Sequence, residues 1–191
     1  MPINTPAPEV ETIKYGVFLE VLDTGVLLCG ASGCGKSELA LNLVDRGHRL
    51  IADDSVILLR YPQSDKIMGT CPDVLADFLE VRGLGIINIR AMYGDTAILD
   101  RRHLQLIVKL VMMPDHELES IDRLHGMHTT QTILECPIPE VTIPIAPGRN
   151  LAILVEAAVR NQILKSTGYQ ASLEFTKRHQ TFIDAGSQEA L

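Results

Sequence analysis

The sequence predicts a single α/β domain, on three observations. Gly30-Ala31-Ser32-Gly33-Cys34-Gly35-Lys36-Ser37 is a G-x-x-x-x-G-K-S loop. It follows the short apolar run Val26 to Cys29 and opens an amphipathic pattern from Lys36 to Arg46, the setting in which such a loop cradles phosphates. A further apolar run, Leu50 to Ala52, ends in Asp53-Asp54, completing the order strand, loop, helix, strand of a right-handed crossover between parallel strands. At 191 residues the chain has the size of one domain with terminal extensions, enough to bury a sizeable core.

Each element has its own signal. Residues 1–12, with three prolines among the first eight, read as an N-terminal arm, residues 13–168 as the phosphate-loop domain, and residues 169–191 as a C-terminal helix and tail. Tyr15 to Val21 alternates like a strand, and Val26 to Cys29 is a continuous apolar strand bounded by glycines. Leu39, Ala40, Leu43 and Val44 fall at helical spacing, with Gly47 as the stop. Val56 to Arg60 reads as a strand and Asp73 to Leu79 as a short helix. Glu80 to Ile89 reads as an extended segment broken by Gly83 and Gly85, and Leu104 to Met113 as a strand. Residues 114–143 are punctuated by proline and acid and read as loops and edge strands. Asn150 is the expected N-cap of a helix from Leu151 to Lys165 that Gly168 stops, and a last helix is expected from Ser172 to Ile183, with a loosely held tail beyond Gly186. Met112-Met113 and the aliphatic stripe from Leu151 to Leu164 are assigned to the core.

Composition narrows the function. A net charge of -7 lacks the basic excess that sequence-independent nucleic-acid binding requires, so nucleic acid is not an expected partner. Cysteines at 29, 34, 71 and 136 form no C-x-x-C pair, and a 46% apolar chain needs no disulfide staples, which points to a reducing cytoplasm. No stretch stays apolar for the ~18 residues of a membrane span, so no membrane partner is expected.

The chemistry follows from residue type. Gly30, Gly33 and Gly35 let the backbone N–H groups of the loop, including those of Ala31, Ser32 and Cys34, close around phosphate oxygens at the start of a helix. Lys36 adds a mobile cation and Ser37 a hydroxyl ligand for Mg²⁺, a site for ATP or for pyrophosphate. Asp53 and Asp54 emerge at the same sheet edge, one to hold the metal and one to accept a proton from an attacking hydroxyl. Cys34 reads as a small residue at a variable loop position, and His125 and His128 as loop residues rather than metal ligands.

The stretches Gly25 to Val56 and Leu79 to Gly94 resemble the catalytic domain of HPr kinase/phosphorylase. Glu80-Val81-Arg82-Gly83-Leu84-Gly85-Ile86-Ile87-Asn88 is the discriminating segment, joined by Ile121-Asp122-Arg123 and by Ile143 to Asn150. The resemblance covers Tyr15 to Gly168. It implies a three-layer core around a central mixed β-sheet of the HPr kinase and PEP carboxykinase type. It also implies a bacterial, commonly hexameric enzyme that phosphorylates a seryl hydroxyl of the phosphocarrier HPr with ATP or pyrophosphate and reverses this by phosphorolysis. On the matching positions, Asp54 is the base of the forward and acid of the reverse step, Ser37 and Glu80 are metal ligands beside Asp53, and Arg123 is a catalytic arginine. The segment Pro144 to Arg149, with Pro147 and Gly148, is tied to dephosphorylation. Lys36 and Arg123, with Arg82 or Arg149, would supply cations around the transferred group.

Three departures stand out. Tyr15 occupies a position where the family usually has histidine, and its phenol, with a reference pKa of ~10, is no neutral-pH proton shuttle. Ile145-Ala146 replaces a usual basic residue, and the family's separate N-terminal domain has no counterpart in these residues. The alternatives are a non-catalytic ATP-binding regulator of the same fold and a small-molecule kinase. An HPr substrate would call for a local basic patch on this acidic surface.

Overall fold

Apolar and β-branched residues build most of the sheet in the computed structural model, which describes residues 7–188. The expected arm's first six residues and the last three of the tail lie outside them. In chain order the elements are β1 (Val10–Tyr15), β2 (Val17–Val21), β3 (Thr24–Gly30), α1 (Lys36–Asp45), β4 (Arg49–Ala52), β5 (Ser55–Arg60), β6 (Ile67–Thr70), β7 (Phe78–Val81) and β8 (Gly85–Asn88). There follow α2 (Ile89–Tyr93), β9 (Arg101–Met112), α3 (Asp115–Glu119), β10 (His128–Ile133), β11 (Cys136–Ile145), α4 (Leu151–Ser166) and α5 (Ala171–Gln188). A 9-stranded mixed sheet runs β1-β5-β6-β9-β3-β2-β4, with β11 paired to β9 and β10 to β11, while β7 and β8 form a separate hairpin.

The expected crossover is present in a modified form. β2 pairs antiparallel with both β3 and β4, so β3 and β4 run parallel with β2 between them. β9 lies parallel against the other side of β3, and β11 parallel against β9. The C-terminal ends of four strands therefore meet at one sheet edge.

Burial divides along the two faces of the central strands. Val26 and Leu28 of β3 and Leu106, Val108 and Leu110 of β9 pack against Leu39, Ala40, Leu43 and Val44 of α1 and Ala152, Val155 and Val159 of α4. Leu27 of β3, Phe18 of β2 and Ile107 of β9 face Val56, Leu58, Ile67, Ile133 and Ile138 on the opposite side. This is the three-layer arrangement around a mixed sheet that the resemblance implied. Each such aliphatic side chain contributes ~1.5–3 kcal/mol when fully buried.

Several expectations need correction. The strand from Tyr15 to Val21 is divided at Gly16, where a Cβ would lie 2.4 Å from the Leu28 carbonyl oxygen, so the chain changes partners there. Residues 10–12 are not arm but the start of β1, paired with β5 from Val10↔Arg60 to Tyr15↔Ser55. The helix from Asp73 to Leu79 shrinks to a 3₁₀ turn at Asp73–Leu75, because Asp77 adopts φ 71° and Phe78 and Leu79 enter β7. β11 is not an edge strand: it sits between β10 and β9 despite the prolines that argued against an interior position. Its turn from β10 uses Leu134 and Glu135 at φ 44° and 64°, a two-residue hairpin connection without glycine. β6 and α2 are additional elements, and α2 is bracketed by Asn88, whose Oδ1 accepts the Ala91 N–H at 2.8 Å, and by Gly94.

The stripe of α4 is only partly core, since its 3.6-residue period leaves Ile153, Ile163 and Leu164 exposed while Ala152, Val155 and Val159 are buried. Met112, at the open end of β9, is exposed as well. The Asn150 cap is present, with its Oδ1 accepting the Ile153 N–H at 3.2 Å. α5 is longer than expected and leaves Leu173, Phe175, Phe182 and Ile183 exposed.

α1 is tied to α4 by a charged cluster. Arg46 Nε and Nη2 donate to Glu156 at 2.8 and 2.7 Å, and His48 Nε2 lies 3.0 Å from Glu156 Oε1. The Arg46 guanidinium, aided by His48, holds the Glu156 carboxyl down at about 2 instead of 4.5. A depressed carboxyl stabilises the fold fully above its unfolded pKa and loses that contribution as pH falls toward its folded pKa. Glu156→Gln is expected to cost about 1–3 kcal/mol in denaturant unfolding at pH 7. The difference from wild type is expected to shrink as pH is lowered from 4.5 toward 2.

Candidate active site

The phosphate loop is shaped by what lies beside it. β9 runs so close to the end of β3 that a Cβ on Gly30 would meet the Leu110 carbonyl oxygen at 2.5 Å, so only glycine lets the chain leave the sheet here. Gly33 and Gly35 turn the loop at φ 75° and 89°. Gly35 is the N-cap of α1 and offers no side chain to the first-turn N–H groups, unlike Asn150 at α4. Those donors and the positive end of the helix dipole face the loop, a ready anion site. Lys36 Nζ donates to the carbonyl oxygens of Gly30 and Ala31 at 3.1 and 3.0 Å, which holds the cation across the loop.

Two further segments close a cavity of about 180 Å³ over the loop. β4, parallel to β3, ends at the same edge and delivers Asp53 and Asp54. Asp54 sits at φ 64°, a conformation that costs a non-glycine residue of order 1 kcal/mol, with its carbonyl oxygen accepting the Gly16 N–H at 3.0 Å. The hairpin of β7 and β8 brings Glu80 and, at its turn, Arg82. Asp53 Oδ2 accepts the Glu80 backbone N–H at 2.9 Å. Burial pushes the Asp53 carboxyl above its ordinary pKa, against the opposing pull of the backbone N–H bonds from Glu80 and Asp54. Arg82 lies against the loop, its guanidinium 3.3 Å from where a Gly33 Cβ would stand.

Of the loop residues assigned from sequence, Ser32, Gly33, Gly35, Lys36 and Ser37 line this cavity with Asp53, Asp54, Glu80 and Arg82. Gly30 and Ala31 contribute the carbonyls that hold Lys36, and Cys34 packs toward the helix-side core. Gly16 and Glu38 also line the cavity, and sequence reasoning missed both. A glycine inside a strand pattern was the available signal for Gly16, since it marks close backbone approach.

The donor set fits magnesium. The Ser37 hydroxyl and the carboxylates of Asp53, Asp54 and Glu80 are hard oxygen donors. Among the described residues no group of three or more His, Cys, Asp or Glu could hold a metal by itself. Magnesium takes one or two protein carboxylates and completes its shell with phosphate and water. Asp53 already spends one oxygen on the Glu80 backbone N–H, so it anchors the hairpin backbone in addition to lining the cavity.

Arg123 is not in this cavity. It lines a neighbouring one of about 380 Å³ with Pro144 and Arg149, whose Nη1 donates to the Pro144 carbonyl oxygen at 3.0 Å. Arg149 and Gly148 also border a groove that contains Gly35, so Arg149 adjoins the phosphate loop. Pro147 lies in the same connection between β11 and α4. Tyr15 ends β1 next to Gly16 and is 76% exposed. His125 Nδ1 lies 2.8 Å from Asp122 Oδ2, a local contact within its turn.

If Asp53 holds the hairpin, Asp53→Ala should remove hydrogen-exchange protection of the Glu80 amide while Asp53→Asn retains it. Exchange followed by NMR reads this, with unchanged protection in both variants as the contrary result.

The residues 8–179 match the family model described as HPr Serine kinase C-terminal domain. The chain is 51% identical over 177 residues to a HPr kinase/phosphorylase of Neisseria meningitidis, covering 93% of this chain and 55% of that relative. It is 49% identical over 174 residues to one of Chromobacterium violaceum, covering 91% and 54%. Among solved structures, the Hpr(Ser) kinase/phosphatase of Coxiella burnetii superposes with a TM-score of 0.74 at 36% identity, covering 86% of this chain and 98% of that one. The chain spans about half the length of the curated relatives it matches. With nine-tenths of its residues inside one family model and relatives about half identical across that span, the chain belongs to the HPr serine kinase C-terminal domain family.

Proposed function

We propose that this domain transfers a phosphoryl group from ATP or pyrophosphate to a seryl hydroxyl of the phosphocarrier HPr, and reverses the transfer by phosphorolysis. The observation that carries the reading is one cavity in which Lys36 and Ser37 of the loop meet Asp53, Asp54, Glu80 and Arg82. The names of the relatives supply the acceptor.

In this reading Asp54 accepts the seryl proton as the seryl oxygen bonds to phosphorus and the bond to the leaving ADP or phosphate breaks. In reverse, inorganic phosphate attacks phosphoserine, Asp54 returns the proton to the serine oxygen, and pyrophosphate leaves. Lys36 and Arg82 offset charge on the transferred group, with Arg123 and Arg149 the nearby cations for an acidic partner. Ser37 and Glu80 would hold magnesium, which supplies further charge neutralisation at the phosphates when bound. The same reading takes the protein to be cytoplasmic and a homo-oligomer, a hexamer by the family resemblance, with the exposed apolar residues of α5 as the surface such assembly would cover. No helix among the described residues is long and apolar enough to cross a membrane.

One observation favours a binding-only regulator instead: Tyr15 stands where the family usually has histidine, beside the Asp54 edge of the cavity. Turnover decides between the two. Incubated with HPr and Mg-ATP, the wild type should form phosphoserine. Lys36→Ala is expected to lower the rate roughly 10²–10³-fold with weakened ATP binding. Asp54→Asn is expected to lower it roughly 10²–10⁴-fold with ATP binding retained. ATP binding without any phosphoserine in the wild type would favour the regulator, and equal loss of binding in both variants would contradict the base assigned to Asp54.

A further inference from the structure

The phosphate cavity continues along α1. Gly35 and Glu38 also line an open groove of about 550 Å³, whose opposite wall is the start of α4 instead of the aspartates. That volume lies in the range of small-molecule sites. Leu39, 5% exposed, and Ala152, 2% exposed, give it an apolar floor, with Leu151 beside them. Glu38 and Asn42, both exposed, stand four residues apart on one helix face, spaced about 6 Å along the axis and leading away from the phosphate end. The Asn42 amide has no side-chain partner among the described residues.

That order of groups matches a nucleotide laid along the helix. Phosphates would sit at Lys36 and Ser37, and a ribose would meet the Glu38 carboxylate, which accepts from sugar hydroxyls as acidic residues do in other nucleotide sites. A base would then reach Asn42, whose amide presents a donor and an acceptor together, the pair that reads an adenine edge. The apolar floor gives the base a surface to lie on. Pyrophosphate needs only the loop cavity.

We propose that the groove between α1 and the start of α4 is the nucleoside subsite of the phosphoryl donor, taking ribose at Glu38 and a purine base at Asn42. The proposal rests on the reading of Gly30 to Ser37 as a nucleotide phosphate site. It makes α1 the element that distinguishes a nucleotide donor from pyrophosphate.

Calorimetric titration with Mg-ADP and with Mg-pyrophosphate tests it on the wild type, Asn42→Ala and Asn42→Trp. Asn42→Ala is expected to weaken ADP about tenfold, the loss of one or two hydrogen bonds, with pyrophosphate affinity unchanged. Asn42→Trp, which fills the groove, should weaken ADP more and again spare pyrophosphate. ADP affinity unchanged in both variants, or ADP and pyrophosphate weakened in parallel, would overturn the proposal. Pyrophosphate bound by the wild type and lost in Lys36→Ala, with ADP bound no better than pyrophosphate, would overturn the nucleoside subsite alone. A wild type that binds neither would overturn the phosphate site and the subsite together.

Discussion

The site depends on the parallel course of β3 and β4 on either side of β2. Two parallel strands put their C-terminal ends at one edge, so a loop leaving β3 and a carboxylate pair leaving β4 converge without any long-range steering of side chains. α1 makes the return between them, with its uncapped N-terminus facing the loop. β9 sets the remaining constraint. Its Leu110 carbonyl blocks any side chain at Gly30, so the loop must begin with a glycine for the backbone to turn over the sheet edge.

Several groups at this edge are held in states that folding alone disfavours. Asp54 occupies a left-handed conformation, Asp53 keeps a carboxyl in a buried setting that raises its pKa, and Arg82 crosses from a separate hairpin to lie on Gly33. The compensation is local and specific. The Gly16 N–H bonds the Asp54 carbonyl, and Asp53 in turn fastens Glu80, so the two-stranded hairpin is hooked to the central sheet by one charge-assisted bond. Beneath them the central strands are packed on both faces, which gives the edge a rigid base.

The parts of this arrangement legible in sequence are those written as local patterns. Gly30 to Ser37, the buried run before it and the helical spacing of Leu39 to Val44 belong to contiguous residues, and the motif states its own geometry. Asp53-Asp54 was legible because it ends a strand. What escaped depends on contacts distant in sequence: β2 inserted between β3 and β4, β11 paired with β9 in spite of its prolines, and the division at Gly16 forced by Leu28. Arg123 carries a matching motif, yet the fold places it beside Arg149 in an adjoining cavity, which no spacing along the chain could reveal. The residue type of Asp53 points to a metal ligand, while its hydrogen bond to the Glu80 backbone N–H, 27 residues on, adds a positioning task visible only in three dimensions.

In the proposed reading, the phosphate loop and the carboxylates brought from β4 and the hairpin act as one site. Its most direct test is the magnesium dependence of pyrophosphate binding, measured by titration in the wild type and in Glu80→Gln. Magnesium should tighten binding in the wild type, and Glu80→Gln should lose that gain while keeping the metal-free affinity that the loop provides. An identical magnesium response in the two proteins would show that the loop works apart from Glu80 and would contradict the account.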